Sequence, residues 1–162
     1  MTEEDITKLA RVLGRACRRR DVDVVTAESC TGGEAATAVT RISGSSKWFE
    51  RGFVTYTNLA KREMLGVSRR TLGDHGAVSE EVAREMAAGA LRKSHADVSV
   101  AITGIAGPTG GSKAKPVGLV CFGWGYRKGP VQTRVFRFKG DRLEIRRQAV
   151  GVALQGLIDL LR

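Results

Sequence analysis

The sequence predicts an α/β fold: a single three-layer α/β/α domain, residues 1–162, with a mixed, partly parallel sheet and a C-terminal β-hairpin plus helix. Three observations carry that expectation. Short apolar runs alternate with longer segments whose apolar positions recur at helical spacing, the pattern of strands joined by helices. Near the C-terminus two apolar runs flank a short turn containing Gly129-Pro130, which reads as an antiparallel pair. The 162 residues, 42% hydrophobic, suffice for one substantial core and would make two domains too small.

The elements follow in order. Glu3–Arg20 is a helix, acidic at its start and closed by Arg18-Arg19-Arg20, which complement its dipole. Val22–Ala27 is a buried strand, and the Ala-rich stretch Gly33–Ile42 is a helix. Arg51–Thr57 reads as a strand, Asn58–Leu65 as a helix, and Ser68–Gly76 as a turn or short helix. Ser79-Glu80-Glu81 supplies an N-cap and an acidic first turn for a helix reaching Lys93. Val98–Thr103 is a buried strand. GIAGPTGGS, Gly104 to Ser112, holds too much glycine for an element and is too short for a linker. Val117–Trp124 and Val131–Phe138, joined by Tyr126–Pro130, form the hairpin. The terminal helix, Arg142–Leu161, buries Ile145, Ala149, Val152, Ala153, Leu157 and Leu160. The order is αβαβααβββα, without internal repeats.

No apolar run is long enough to span a bilayer, and MTEEDITKL is acidic and helical where a signal peptide would be basic and apolar. The expectation is a cytoplasmic protein without membrane attachment. Cys17, Cys30 and Cys121 are odd in number and lack disulfide or metal spacing, which suits a reducing compartment. With only His75 and His95, both distant from the cysteines, no metal site is expected. The net charge of +10 invites a nucleic-acid reading, yet the charge is scattered and no recognition-helix or aromatic RNA-binding pattern accompanies it. A nucleic-acid partner stays open but is not favoured. Positive charge equally suits a small phosphate-bearing substrate.

The chemistry concentrates in TAESCTGG, Thr26 to Gly33, where a strand turns into a helix. Ser29, Cys30 and Thr31 fall near a helix N-terminus, whose free N–H groups favour negative charge, including a tetrahedral oxyanion. Ser and Thr before a helix are also ordinary N-caps. Two more loops follow strands, Tyr56–Lys61 and Thr103–Ser112. Parallel strands would bring all three to one cleft at their carboxyl ends. A serine needs a base, and without a suitably placed histidine a desolvated lysine or a tyrosinate is the alternative, hence Lys61 and Tyr56. Cys30 is the rival nucleophile, since a helix N-terminus lowers a thiol's pKa. The glycine-rich loop offers amides for a phosphate but lacks the ending of a P-loop. Arg142, Arg146 and Arg147 are candidate phosphate partners.

Taken together, TAESCTGG (26–33), GSSKWFERGFVTYTNLAK (44–61), HGAVSEEVAREMA (75–87), TGIAGPTGGSKAKPVGLV (103–120) and GDRLEIRRQA (140–149) closely resemble the CinA C-terminal domain family. Its stand-alone members are nicotinamide-nucleotide amidohydrolases. The resemblance implies hydrolysis of the carboxamide of nicotinamide mononucleotide to nicotinate mononucleotide and ammonia, a salvage step feeding NAD synthesis, with no cofactor. It implies Ser29 as nucleophile, with Lys61 and Tyr56 as the candidates for activating it and protonating the leaving ammonia. It places Ser46 in the pocket as an auxiliary hydroxyl and gives the oxyanion to the turn around Cys30, Thr31, Gly32 and Gly33. Ribose phosphate falls to Thr103, to Gly104, Gly107, Gly110 and Gly111 of the loop, and to Arg142 or Arg146. Two other readings stay open: a non-catalytic nucleotide- or nucleic-acid-binding module tied to the competence and damage context of the family's name, and hydrolysis of another amide or lactam. A homo-oligomer, first a dimer, is expected, and Trp48 and Phe49 suit either its interface or the core.

Overall fold

A computed structural model describes residues Met1–Arg162. A five-stranded sheet lies at its centre in the order β2-β1-β3-β4-β5. Strands β1 (Val24–Glu28), β2 (Phe49–Val54) and β3 (Val98–Gly104) run parallel; β4 (Leu119–Tyr126) and β5 (Gln132–Arg137) extend the sheet antiparallel. Helices α1 (Glu3–Arg20), α2 (Glu34–Thr40) and α6 (Arg142–Leu160) cover one face. The other carries α5 (Glu80–Arg92), with α3 (Asn58–Leu65) and α4 (Arg69–His75) packed on it. The mixed three-layer expectation is met.

Alternation along each strand sorts its side chains between two cores. Val24, Val98, Val100 and Ile102 join the α1–α2–α6 side, where Trp48 and Phe122 are also buried. Val25, Ala27 and Ala101 join the α3–α5 side with Leu65, Val82 and Met86. Trp48 therefore belongs to the core: its ring lies against Gly14, where a Cβ would come within 2.9 Å of it. Trp124 is packed still more closely on the backbone of α6 at Gly156, and its Nε1 donates to the Ala153 carbonyl at 3.0 Å.

Boundaries moved where hydrogen bonds outrank hydrophobicity. The strand expected from Val22 begins at Val24, because the Asp23 carbonyl accepts from the Asp97 and Val98 amides before the ladder starts. The strand expected over Arg51–Thr57 occupies Phe49–Val54, since Thr57 already serves as N-cap of α3, accepting from the Ala60 amide. Ser68 likewise caps α4, which settles that stretch as a helix. A 3₁₀ turn at Ser45–Lys47 precedes β2 and has no counterpart in the expected elements. No helix is long and apolar enough to cross a membrane.

Candidate active site

The ladder runs one step past the end of β1: the Ser29 amide donates to the Ile102 carbonyl at 2.9 Å, and the Thr55 amide to the Glu28 carbonyl at 2.8 Å. Strand alternation consequently points Glu28 toward α2 and Ser29 toward α3. Lys61, in the first turn of α3, reaches back into this corner. Its Nζ lies 3.0 Å from Ser29 Oγ and donates to the Thr55 carbonyl, also at 3.0 Å. Ser29 is 7% exposed and Lys61 only 1%. Burial pushes the Lys61 amine below its ordinary value, and no carboxylate pairs with it to restore the charge. The neighbouring Cys30 thiol opposes this weakly, because burial pushes that thiol up to about 12 and leaves it neutral. Burial thus biases this amine toward its uncharged form within hydrogen-bond distance of a serine hydroxyl, the arrangement a general base requires.

The Cys30 result overturns the expectation of a thiol activated by a helix end. Desolvation outweighs the lowering by its own backbone amide, Arg146 and Lys61, so the thiol is held neutral beside the Ser29 hydroxyl. The free amides expected at the start of α2 are likewise not free. Glu28, wholly buried, accepts from the Ala35 amide at 2.8 Å, the Ala36 amide at 3.0 Å and the Thr31 hydroxyl at 2.7 Å. The donors left for an oxyanion are in the turn itself, where the Cys30, Thr31 and Gly33 amides bond to no other residue. Gly32 and Gly33 take φ of +57° and +100°, which a side chain there would resist. Arg146 holds the turn from behind, donating to the Thr31 carbonyl at 3.2 Å and pairing with Glu34 at 2.8 Å. Those bonds make it a clamp on the turn, and the cleft is lined by Arg142 in its place.

That cleft, about 210 Å³, is bounded by Cys30, Tyr56, Arg142 and residues 104–107 and 109–111 of the glycine-rich loop. Arg142 spans its mouth, donating to the Gly107 carbonyl at 2.7 Å and to the Tyr56 hydroxyl at 3.0 Å. Tyr56 is exposed and bonds to neither Ser29 nor Lys61. Gly107, Gly110 and Gly111 all adopt positive φ and line the wall. Gly104 lines it as well but sits within β3, where a Cβ would run into Val120 at 2.7 Å. Thr103 is buried on the same face of the sheet as Ser29 and does not line this cleft: its hydroxyl donates to the Ala77 carbonyl at 2.8 Å. Ser46 is exposed on the 3₁₀ turn leading into β2, at the amino end of the parallel strands, so the chain places it at the opposite end of the sheet from Ser29. His75 and His95 are exposed on the surface. No three His, Cys, Asp or Glu side chains cluster in a metal-binding arrangement. A larger groove of about 470 Å³ between β5 and α6 has a single carboxylate, Asp159, and no serine, threonine, cysteine, lysine or histidine in its lining.

Comparison with known proteins agrees with this architecture. The chain is 54% identical over 157 residues to nicotinamide-nucleotide amidohydrolase PncC of Escherichia coli K12, covering 97% of this chain and 95% of that protein. It is 50% identical over 161 residues to the protein of the same name from Pseudomonas putida, covering 97% and 98%. The crystal structure of a competence/damage inducible protein from Agrobacterium tumefaciens superposes with a TM-score of 0.96 at 51% identity, over 98% of this chain and 96% of that one. The CinA C-terminal domain model matches residues 6–161, and the chain belongs to that family.

Proposed function

We propose that this protein hydrolyses the carboxamide of nicotinamide mononucleotide, with Ser29 as nucleophile and Lys61 as its proton carrier. Full-length relatives at 50–54% identity carry the name of that activity. The observation that carries the mechanism is the 3.0 Å contact between Lys61 Nζ and Ser29 Oγ in a buried corner. Ser29 Oγ attacks the amide carbon while Lys61 takes its proton. The tetrahedral oxyanion falls to the unpaired amides of Cys30, Thr31 and Gly33. On collapse Lys61 returns the proton to the departing nitrogen, ammonia leaves, and the nicotinoyl group remains as an ester on Ser29. Water then attacks that ester, again deprotonated by Lys61, and Ser29 is restored as nicotinate mononucleotide departs. Arg142 is the phosphate partner at the cleft mouth, oriented by Tyr56, and the loop amides share that load.

The test is ammonia release from nicotinamide mononucleotide by wild type and Ser29→Ala, both shown to be folded. Activity in wild type that Ser29→Ala abolishes supports the reading. Turnover by Ser29→Ala at the wild-type rate removes Ser29 from the chemistry, and no release by wild type at any pH sinks the substrate.

A further inference from the structure

Glu28 is the one buried carboxylate beside the nucleophile, and the mechanism above gives it no proton to carry. Its three hydrogen bonds all go to the segment that follows Ser29. An ordinary helix start would be capped by its own N-cap side chain, but that position is Gly33, at φ +100°, with nothing to offer. The cap comes instead from the last residue of β1, seven and eight positions back. Residues 29–33 are thereby closed between two fixed ends, and the Thr31 hydroxyl pins them a third time in the middle.

We infer that Glu28 is a positioning residue for amide hydrolysis: by capping α2 from β1, it sets the Ser29 hydroxyl and the turn amides in one rigid frame. This rests on Ser29 being the nucleophile. The charge of Glu28 works against a nearby oxyanion, so its contribution is geometric and not electrostatic. That separates two outcomes by sign. Removing the charge while keeping the shape would speed the reaction if electrostatics ruled, and slows it if position does. In Glu28→Gln one oxygen still accepts from Thr31 and Ala35, but the amide nitrogen meets the Ala36 N–H donor to donor.

The experiment is steady-state ammonia release from nicotinamide mononucleotide by Glu28→Gln, Thr31→Val and the double variant, well below each protein's melting temperature. Glu28→Gln is expected to lose about 10- to 100-fold in kcat, as small misplacements of reacting groups do, with KM nearly unchanged. The pH limb belonging to Lys61 stays where wild type has it. Thr31→Val loses less, and the double variant no more than Glu28→Gln, because both act on the same turn. If Glu28→Gln does not fold, Thr31→Val carries the test alone. A wild-type kcat with a lowered melting temperature makes the carboxylate merely structural and overturns the inference. So does a rise in KM alone, or a rise in kcat. Activity retained by Ser29→Ala would sink the nucleophile assignment; activity lost there but intact in Glu28→Gln sinks this inference alone.

Discussion

Replacing Lys61 by Met removes the base while keeping an unbranched side chain of similar reach. Loss of a general base costs about 10²- to 10⁴-fold, so a drop near 10³ in kcat, about 4 kcal/mol of barrier, is expected. The structure makes a stronger demand when Ser29→Ala is added. Lys61 Nζ meets one reactive group, Ser29 Oγ, at 3.0 Å, and its other partner is a backbone carbonyl. With the hydroxyl gone the amine has no serine proton to take, and no acyl ester forms for a Lys61-activated water to attack. The double variant should therefore fall no further than the worse single variant, whereas independent contributions of about 10³ each would multiply to about 10⁶. The assay is ammonia release at substrate saturation, corrected for spontaneous hydrolysis, with circular dichroism confirming the fold of all three variants. A double variant another thousandfold slower than either single would refute the coupling. A Lys61→Met protein with more than about a tenth of wild-type kcat would refute the base itself.

The pH profile follows from the direction in which burial moves Lys61. The active form is uncharged, so kcat/KM falls as pH drops through the Lys61 pKa, and that limb lies below the ordinary lysine value of 10.5. A limb at or above 10.5 in the measured profile would mean that burial is not felt. Arg142→Ala removes the proposed phosphate partner and should raise KM by about 10- to 100-fold, the worth of a charge-assisted hydrogen bond, while kcat holds; the same loss appearing in kcat would move Arg142 into the chemistry. Gly156→Ala drives a methyl into the Trp124 ring and should cost about 1–3 kcal/mol, read as a lower melting temperature; an unchanged melting temperature would show that the ring yields freely.

Much of the fold and of the candidate site is legible in the sequence, and what is not legible shares a cause. Ser29 and Lys61 were readable because each is fixed by local structure, a strand-to-helix turn and the first turn of a capped helix. Glu28 was missed because its role depends on where α2 begins and on strand parity. A glutamate ending the run Val24, Val25, Thr26, Ala27 was the available signal, since a charge at the end of a buried strand needs partners. Ser46 and Thr103 stand in motifs close to site residues but outside the cleft lining: Ser46 precedes its strand, and the Thr103 hydroxyl is taken up by the Ala77 carbonyl, and neither placement is contained in a motif. Arg142 and Arg146 lie one helical turn apart and look equivalent in sequence. Only the packing of α6 assigns one to the cleft and the other to the turn.

The proposed nucleophile hangs from the central strand of the sheet, through the Ser29 amide on Ile102, whereas the neighbouring cleft is walled by glycine-rich backbone and two exposed side chains, Tyr56 and Arg142. On the proposed mechanism, bond-breaking and ligand capture thus reside in parts held very differently, one buried in the sheet and one exposed. Changes that would wreck the first scarcely touch the second, so variation in the 104–117 loop and at the start of α6 can retune what is admitted while the hydrolytic half stays intact. A lineage built on this frame has room to drift in diet without losing its teeth.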